Sequence, residues 1–389
     1  MTIVVVGIGA DGWAGLTEQA RAELRRCDVL FGASRQLDLV PLEKPKKTWP
    51  SPLLPALDEL LGGHADRTLG VLASGDPLLS GIGTTLVRRF GDVRIVPGVS
   101  SVTLARARLG WSAEETEVIS VVGRNVHRVA RVLAPGMRLL VLSSDAASPA
   151  RIASLLDEHG FGESSITVLS QLGGPEERIV RAVAREWSAE VAPLNIVAVE
   201  CVGGPGLPTL PGLPDDAFEH DGQLTKRDLR AVALARLAPL PGQLLWDVGA
   251  GAGSVAIEWS RAHPANRAIA VERSAERAAR IGRNADRLGV PELRVVEGSA
   301  PEALGGLPAP DAVFLGGSVA AWPFCWAALS EGGRLVAHAV TLESEQTLAQ
   351  AYAARGGELV RIAVEHAAPL GGFTGWAPAR TVTQWSIRK

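Results

Sequence analysis

The feature that most constrains the fold is an alternating glycine run, Trp246-Asp-Val-Gly-Ala-Gly-Ala-Gly253, with a glutamate, Glu272, nineteen residues after its last glycine. The run follows a short apolar stretch and opens a helical pattern, and a second apolar stretch ends at the glutamate. This order is typical of a nucleotide-binding βαβ unit. The glycines let the backbone pass close to a ligand because they carry no Cβ atom. An acid at the tip of the second strand can accept both hydroxyls of a ribose.

The spacing of the glycines indicates which nucleotide the unit suits. Dinucleotide folds prefer Gly-x-Gly-x-x-Gly, in which helix amides face a pyrophosphate, whereas this chain has acid-x-Gly-x-Gly-x-Gly from Asp247 onward. That pattern suits a ligand without phosphate, such as S-adenosyl-L-methionine (SAM). Because ligands of open parallel sheets lie at the carboxyl ends of the strands, we expect Glu297–Ala300 beside the adenine and Asp311–Ser318 beside the transferred methyl group. The glycine pair in the second stretch is also compatible with a simple tight turn.

Length, charge and cysteine content limit the class of protein. A chain of 389 residues predicts two to three domains, and a net charge of −3 provides no basic field for a nucleic-acid backbone. The cysteines, Cys27, Cys201 and Cys325, are far apart, which argues against disulfides and a thiolate metal site and fits a reducing cytoplasm. The amino terminus enters a strand pattern without a signal-peptide composition, and no apolar run is long enough for a bilayer. We therefore expect no nucleic acid, membrane or metal as a partner.

A proline- and glycine-rich stretch divides the chain. Residues 203–214 contain four prolines and four glycines without periodicity, so they can continue neither a helix nor a sheet. We predict a first domain at residues 1–205, a linker at 206–214 and a second domain at 215–389. Both halves alternate short apolar runs with helical patterns, which predicts α/β domains with mainly parallel sheets covered on both faces.

In the first half, the helical period predicts a helix over Leu16–Arg26, with Leu16, Ala20 and Leu24 on its apolar face. Seven short apolar runs of this half are predicted to be strands. They are Ile3–Val6, Asp28–Phe31, Leu69–Ala73, Arg94–Val96, Leu139–Leu142, Thr167–Leu169 and Asn195–Cys201.

In the second half, Thr225 is expected to cap a helix over Lys226–Leu237. The last two predicted strands have no helix between them, so we expect an antiparallel hairpin that closes a seven-stranded sheet. The strands are predicted at Leu244–Val248, Ala268–Val271, Leu293–Val296, Ala312–Leu315, Arg334–Ala339, Leu359–Val364 and Thr381–Ile387. The remaining helices are predicted at Ser254–Arg261, Ala275–Leu288, Ala321–Leu329 and Ser344–Arg355.

The first half has a glycine turn of its own. Gly7-Ile-Gly9-Ala-Asp-Gly12 is a literal Gly-x-Gly-x-x-Gly and by itself suggests NAD, but the next strand ends at Gly32 and lacks the acid that a dinucleotide fold requires. Two polar turns, Ser74–Pro77 and Pro97–Ser101, each follow a predicted strand. Such turns can offer amides and hydroxyls to a ligand, or they can be ordinary loops, and their chemistry alone leaves both readings open.

Several of these motifs together resemble a known family. Gly7–Gly12, Gly75–Pro77 and Pro97–Ser101 resemble the tetrapyrrole methylases, and Trp49–Pro52 and Leu169–Arg178 resemble the cobalamin-pathway branch of that family. Tetrapyrrole methylases bind SAM in a cleft between two α/β lobes, so the resemblance implies that fold and that cofactor for the first half.

The second half resembles a class I methyltransferase of the same pathway. The similarity lies in the glycine run, in Gly298–Leu304 and in the tail Gly371–Trp376. It implies a Rossmann-like, seven-stranded α/β domain and a second SAM site. Over essentially the whole chain, the resemblance implies a bifunctional enzyme of cobalamin biosynthesis. It would methylate a reduced tetrapyrrole with many carboxylates at meso carbons 5 (first domain) and 15 (second domain), and decarboxylate the ring C acetate.

The resemblance also implies which residues bind the cofactor. In the first domain they are Gly75, Asp76, Leu79, Ser100 and Ser101. In the second domain they are Thr225, Gly249, Ala250, Gly251, Ala252, Gly253, Glu272 and Ala300. The chain departs from the family at Val122, where His often precedes Gly-Arg, and at Ser299, where many class I enzymes have Asp.

No nucleophile–base signature stands out, which fits methyl transfer to a carbon that is already nucleophilic. Candidate carboxylate anchors are Arg380, beside Trp376, and Arg124, because arginine clamps carboxylates bidentately. Either arginine can equally be part of a surface ion pair. His338 is a candidate proton relay, or a hydrogen-bonded core residue of an apolar strand.

The sequence is also compatible with two other functions. The chain could carry two methyltransferase domains for a different substrate, such as a protein or an RNA base, although it lacks a basic surface. It could also be a SAM-binding regulatory protein with inactive sites, although both glycine turns and Glu272 are intact. By analogy with related enzymes, a homo-oligomer is expected.

Overall fold

The computed structural model describes residues 1–64 and 66–389. The chain forms two compact units. The first comprises residues 1–126 and 133–205, and the second comprises residues 127–132 and 206–389. Within the described residues, no helix combines the length and the apolar character needed to cross a bilayer.

The first unit begins with a five-stranded parallel sheet. Its strands are β1 (Thr2–Ile8), β2 (Val29–Gly32), β3 (Lys46–Thr48), β4 (Thr68–Ser74) and β5 (Val93–Val96), in the order β3-β2-β4-β1-β5. Val4 and Val6 pack into the core on one face, and Ile3 and Val5 into the core on the other. Both faces are therefore covered, as the continuous apolar run of β1 predicts.

The second sheet of this unit corrects one prediction. Its strands are β6 (Thr116–Ser120), β7 (Arg138–Leu142), β8 (Ser165–Ser170), β9 (Arg178–Val183) and β10 (Asn195–Glu200). In the order β6-β7-β10-β8-β9, only β6 and β7 are parallel. The prediction of a mainly parallel sheet is wrong here, because residues 171–177 join β8 to β9 without the helix that a parallel crossover needs.

The helices of the first unit are α1 (Gly12–Gly15), α2 (Glu18–Arg26), α3 (Ser34–Asp38), α4 (Leu53–Gly62), α5 (Ile82–Phe90), α6 (Ser101–Leu109) and α7 (Ser148–Glu158). The hydroxyl of Thr17 accepts a hydrogen bond from the Ala20 amide, so α2 begins two residues later than predicted. Its predicted apolar face is confirmed, since Leu16, Ala20 and Leu24 are all buried.

The second unit is built on a seven-stranded sheet. Its strands are β11 (Leu244–Val248), β12 (Arg267–Glu272), β13 (Arg294–Glu297), β14 (Ala312–Leu315), β15 (Arg334–Ala339), β16 (Glu358–Ile362) and β19 (Val382–Arg388). The order is β13-β12-β11-β14-β15-β19-β16, and only β19 runs antiparallel to its neighbours. The predicted seven strands with an antiparallel closing pair are confirmed.

A second hairpin interrupts that closing pair. Strands β17 (Glu365–Leu370) and β18 (Phe373–Pro378) form a separate two-stranded sheet. The side chains of Phe373 and Trp376 are 84% and 73% exposed. This hairpin is not among the predicted strands, because its residues are almost all exposed and show no apolar alternation.

The helices of the second unit are α8 (Arg227–Leu237), α9 (Ser254–Ala262), α10 (Ala275–Arg287), α11 (Trp322–Ala328) and α12 (Leu342–Arg355). Trp246 and Leu245 of β11 pack into cores on opposite faces of the sheet. The cap prediction is wrong by one residue: Lys226 precedes α8, and no side chain caps its first turn. The Thr225 carbonyl instead accepts a hydrogen bond from Arg230.

Candidate cofactor sites

The glycine run of the second unit forms the turn between β11 and α9. The amides of Gly249 and Ala250 donate to the Val271 carbonyl at 2.9 and 3.1 Å, which fastens the turn to β12. Gly249 and Gly251 have φ of 72° and 59°, in the region that favours glycine. A Cβ on Gly251 would lie 2.8 Å from the carbonyl oxygen of Gln223. The turn therefore requires glycine for its conformation and for its close neighbours.

Glu272, the last residue of β12, faces this turn. One carboxylate oxygen accepts from the Gly251 amide at 2.9 Å, and the other accepts from the Ser274 amide at 3.0 Å. The residue is 4% exposed. Each oxygen keeps a further lone pair, so the carboxylate can accept the two hydroxyls of a ribose without losing its backbone contacts.

A cavity of about 1220 Å³ opens at the carboxyl ends of these strands. It brings together eight of the residues singled out from the sequence: Thr225, Gly249, Ala250, Gly251, Glu272, Ala300, His338 and Arg380. Two others lie behind the turn. Ala252 is buried, and a Cβ on Gly253 would lie 2.7 Å from Ile281 of α10, so this glycine serves the packing of helix on helix.

Asp247, at the end of β11, is the most perturbed acid of the site. One carboxylate oxygen accepts from the Ala256 amide at 2.9 Å, and the other has no hydrogen-bond partner among the described residues. Burial raises the pKa of Asp247 to about 7, and the nearby charge of Glu272 acts in the same direction. Burial therefore favours the neutral form of this acid far more than that of an ordinary aspartate.

This perturbation predicts a pH-dependent stability. Because the folded pKa lies above the unfolded value of about 3.9, the stabilising contribution is complete below about pH 4 and is lost as the pH rises through about 7. Asp247→Asn should remove it, so the difference in unfolding free energy between wild type and variant should change by roughly 2–4 kcal/mol over that range. Urea unfolding at a series of pH values measures this. Parallel curves for the wild type, Asp247→Asn and the exposed control Asp92→Asn would contradict the assignment.

His338 lies on β15, where it lines the same cavity. Its Nε2 lies 2.9 Å from Oε1 of Gln384, and its ring meets Phe314 edge to face with the centroids 5.0 Å apart. Burial lowers the pKa of His338. The residue is therefore hydrogen-bonded in the core, as one of the two expectations has it, and it also faces the cavity, so its place as a proton relay stays a prediction.

The candidate carboxylate anchors are placed differently from one another. Arg380 is exposed and lines the cavity, whereas Trp376 projects from the β17–β18 hairpin and is not part of the lining. Arg124 belongs to an exposed turn of the first unit. The cavity also has two exposed arginines that the sequence analysis missed, Arg227 and Arg273, because a lone arginine at a helix or strand end carries no pattern.

The first unit has a different glycine arrangement at the carboxyl ends of its strands. Three glycines meet backbone to backbone: a Cβ on Gly7 would lie 1.8 Å from the Gly75 carbonyl oxygen and 2.4 Å from the Gly98 amide. The Gly75 amide donates to Ile8, and the Gly98 amide donates to Gly75, at 3.1 and 3.0 Å. This contact draws the turns after β1, β4 and β5 together.

The predicted polar residues lie on those turns. The Asp76 carboxylate accepts from the Leu78 amide at 2.9 Å, and the Asp76 carbonyl accepts from the Leu79 amide at 3.1 Å. Ser100 caps α6, and its hydroxyl accepts from the Thr103 amide at 3.1 Å. The side chains of Asp76, Leu79 and Ser100 are half-buried, so they remain accessible at this edge.

Ser101 is the first residue of α6 and is also half-buried. Four of the five residues predicted for the first site therefore lie on the turns that follow β4 and β5, and Ser101 comes directly after the second turn, all at the edge where ligands of parallel sheets bind.

Family models match both halves of the chain. Residues 2–187 match the family model of tetrapyrrole (corrin/porphyrin) methylases, and residues 216–389 match that of the precorrin methyltransferase domain. The chain is 48% identical over 398 residues to precorrin-6Y C(5,15)-methyltransferase (decarboxylating) of Mycobacterium tuberculosis, which covers 100% of both proteins. This chain belongs to the precorrin-6Y C(5,15)-methyltransferase (decarboxylating) family.

Two shorter relatives each match part of the chain. One is a cobalt-precorrin-7 C(5)-methyltransferase of Salmonella typhimurium, 32% identical over 46% of this chain and 88% of that protein. The other is a probable cobalt-precorrin-6B C(15)-methyltransferase (decarboxylating) of Pyrobaculum calidifontis, 39% identical over 36% of this chain and 76% of that protein.

Members of this methyltransferase family use SAM, and the residues of the second unit fit it. Glu272 offers two acceptors for ribose hydroxyls, and the glycine turn presents backbone without Cβ atoms. Pockets for a single small ligand usually measure roughly 300–1,000 Å³, so the cavity of about 1220 Å³ has room for more than a small cofactor. The free arginines at its rim suit an anionic second ligand.

Proposed function

We propose that this chain performs SAM-dependent methylation of a precorrin at meso carbons 5 and 15, with decarboxylation of the ring C acetate, in cobalamin biosynthesis. The observation that carries the proposal is the likeness to a precorrin-6Y C(5,15)-methyltransferase at 48% identity over the full length of both proteins. Two glycine sites at the carboxyl ends of two unrelated sheets support it, because a bifunctional methyltransferase needs two places for a methyl donor.

The two sites would each hold one SAM. In the first domain the contacts are Gly75, Asp76, Leu79, Ser100 and Ser101. In the second they are Thr225, the turn from Gly249 to Gly253, Glu272 and Ala300. When bound, SAM supplies an activated methyl group. The protein's part is to align the cofactor with the accepting carbon, which is worth roughly 7–11 kcal/mol when the geometry is right.

We assign carbon 5 to a first domain of residues 1–205 and carbon 15 with the decarboxylation to a second domain of residues 215–389, joined by a linker at 206–214. The two family models, each of which matches one half of the chain, support this division. So do the two separate relatives named for C(5) and for C(15) methylation, each of which matches less than half of the chain.

The carboxylates of the substrate would meet the arginines of the second cavity. Arg227 and Arg380 are exposed and line it together with the apolar side chains of Val340, Val364 and Val382. Apolar walls with a few cations at the rim suit a flat macrocycle that carries carboxylates. In the first domain, Arg124 is the corresponding candidate.

We assign proton transfer in the second domain to His338. Methylation of a meso carbon that bears hydrogen releases one proton, and loss of carbon dioxide from an acetate consumes one, so a single group that accepts and returns a proton can serve both. We place the His338 proton on Nε2, from which it can be donated to Gln384 Oε1 across 2.9 Å, so that Nδ1 is the atom that accepts. Burial lowers the pKa of His338, which favours the neutral ring, the form that can accept a proton.

Replacing His338 tests this assignment. His338→Asn should lower the rate of 15-methylation and decarboxylation by about 10²-fold, the usual range for loss of a general base, without weakening SAM binding. Gln384→Leu should give a smaller loss and a changed pH–rate profile, because the ring keeps its proton-transfer atoms but loses its orientation. The control is His263→Asn, outside the cavity. Unchanged rates in His338→Asn would assign the residue to packing alone.

Product analysis of the full chain tests the function as a whole. With SAM and a precorrin-6Y-type substrate, the product should gain two methyl groups and lose one carboxyl group. Labelled SAM in equilibrium dialysis should report two equivalents per chain. Methyl transfer to a protein or an RNA instead of the precorrin would favour a methyltransferase for another substrate. Binding of two equivalents of SAM without any product would favour an inactive regulatory protein.

We also propose that this protein is cytoplasmic and forms a homo-oligomer. The three cysteines are free and buried, and burial raises the pKa of each thiol, to about 11 for Cys27 and Cys201 and about 12 for Cys325. Unreactive, unpaired thiols support a cytoplasmic location. The exposed apolar side chains of the β17–β18 hairpin support a homo-oligomer, since such surface is usually covered.

A further inference from the structure

One buried amide in the second unit joins two parts of the cofactor cavity. Asn284 of α10 is 1% exposed. Its Nδ2 donates to the carbonyls of Glu219 and Ala252, at 2.9 and 3.0 Å, and its Oδ1 accepts from the Glu219 amide at 2.8 Å. Ala252 belongs to the glycine turn, whereas Glu219 begins the segment of residues 219–225, which we call the strap. Asn284 therefore binds the strap and the glycine turn at once.

The strap forms one wall of the cavity. Four of its residues, Gly222, Gln223, Leu224 and Thr225, line it. The strap also lies directly against the glycine turn, since a Cβ on Gly251 would lie 2.8 Å from the Gln223 carbonyl oxygen. A shift of the strap would therefore move the wall of the cavity near Glu272, whose carboxylate is proposed to bind the ribose hydroxyls.

Ion pairs also hold the strap: the Glu219 carboxylate pairs with Arg283 at 2.6 Å, and further contacts lie at Asp221 and at the far end of the strap. Asp221 pairs with Arg277 at 2.8 Å and Arg280 at 3.3 Å, and these contacts hold the pKa of Asp221 well below its usual range. At the far end, the buried Arg230 donates to the Thr225 carbonyl at 2.5 Å. The carboxylates of these ion pairs are accessible to solvent, which weakens the pairs, whereas removing a buried amide leaves several polar groups without partners. Asn284 therefore provides the main buried hydrogen bonds between the strap and the glycine turn.

We propose that Asn284 is a positioning residue of the second SAM site, which holds the strap against the glycine turn and so keeps the strap wall in its binding conformation. The inference rests on the proposed function, because it requires SAM in this cavity. The affinity that is measured falls in proportion to the fraction of molecules in the binding conformation, so a loosened strap weakens binding although no contact residue has changed.

Asn266 provides a matched control for a purely structural role. It is 4% exposed and joins two segments of the same unit, accepting from the Gly242 amide and donating to the Trp259 carbonyl, both at 3.1 Å. It precedes β12, at the end of the sheet opposite to the cavity. Loss of either asparagine removes buried hydrogen bonds, but only loss of Asn284 releases the strap.

The experiment uses the full chain and titrates SAM by calorimetry. In Asn284→Ala, one of two SAM sites should weaken by about tenfold, which corresponds to about 1.4 kcal/mol, while Asn266→Ala should bind like the wild type. Trypsin should also cut after the exposed Lys226 faster in Asn284→Ala, and SAM should slow that cleavage. If Asn284→Ala does not fold, Asn284→Asp replaces it, because the carboxylate keeps the acceptor and loses both donations.

The outcomes separate the inference from the function on which it rests. A wild-type chain with two SAM sites, and equal affinities in Asn284→Ala and Asn266→Ala, overturns the positioning role alone. A wild-type chain without a second SAM site overturns the proposed function and the inference together.

Discussion

Replacing Gly251 with arginine is expected to abolish SAM binding at the second site, and with it the 15-methylation and the decarboxylation. Gly251 has a φ of 59°, and even a Cβ atom would lie 2.8 Å from the Gln223 carbonyl oxygen. A long side chain would also occupy the cavity in front of Glu272. Misplacement of a bound reactant by about 1 Å can cost about 10²-fold in rate, so the activity of this site should fall by at least that much.

The readout of Gly251→Arg is the number of SAM equivalents in dialysis and the mass of the product. We expect one equivalent instead of two, and a product methylated once with its ring C acetate intact. Gly282→Arg is the matched control: Gly282 lies on α10, and a Cβ there meets nothing within 4 Å. If Gly251→Arg still binds two equivalents, the second site lies elsewhere.

The sheet of the second unit could be predicted from the sequence almost to the residue. Strands Leu244–Val248, Ala312–Leu315 and Arg334–Ala339 have the predicted bounds. These parallel strands are buried on both faces, so each appears as a continuous apolar run between turn residues. A glycine turn then marks the carboxyl edge, and the cavity contains most of the residues chosen for it.

The elements that sequence reasoning missed lack that signal. Strand β9 contains Arg178 and Arg181, and none of its residues is fully buried, so it has neither an apolar run nor a clean alternation. The β17–β18 hairpin has no buried face at all. Such strands are specified by their pairing partners and not by their own composition. The antiparallel sheet of the first unit was missed for this reason.

The site residues that were missed act across long separations in the chain. Asn284 bonds to Glu219 across 65 residues of the chain, and Gln384 lies beside the predicted His338 across 46. A single asparagine or glutamine in a helix or strand gives no local sign that its partner lies in another element. The cap assigned to Thr225 was wrong for a local reason, because helix ends are fixed by one hydrogen bond and neighbouring residues compete for it.

Asp76→Ala is expected to eliminate the other SAM site and the 5-methylation, while the second site keeps its activity. The Asp76 carboxylate accepts from the Leu78 amide at 2.9 Å, so its loss frees the turn that follows β4. Gly75 of that turn packs so closely against Gly7 and Gly98 that neither of those two glycines has room for a Cβ. A change in the backbone of this turn therefore moves the ends of all three strands. We expect the rate of 5-methylation to fall by about 10²-fold or more.

The variant Asp76→Asn distinguishes the effect of losing the negative charge from the effect of losing the hydrogen bond that holds the turn. The amide oxygen still accepts from the Leu78 amide, so the turn should survive, and any remaining loss of SAM binding reports the charge itself. Asp92→Ala, an exposed aspartate of the same unit, controls for general effects. A variant Asp76→Ala that still transfers a methyl group to carbon 5 at the wild-type rate would place the first methylation outside these turns, and one domain would then have to perform both methylations.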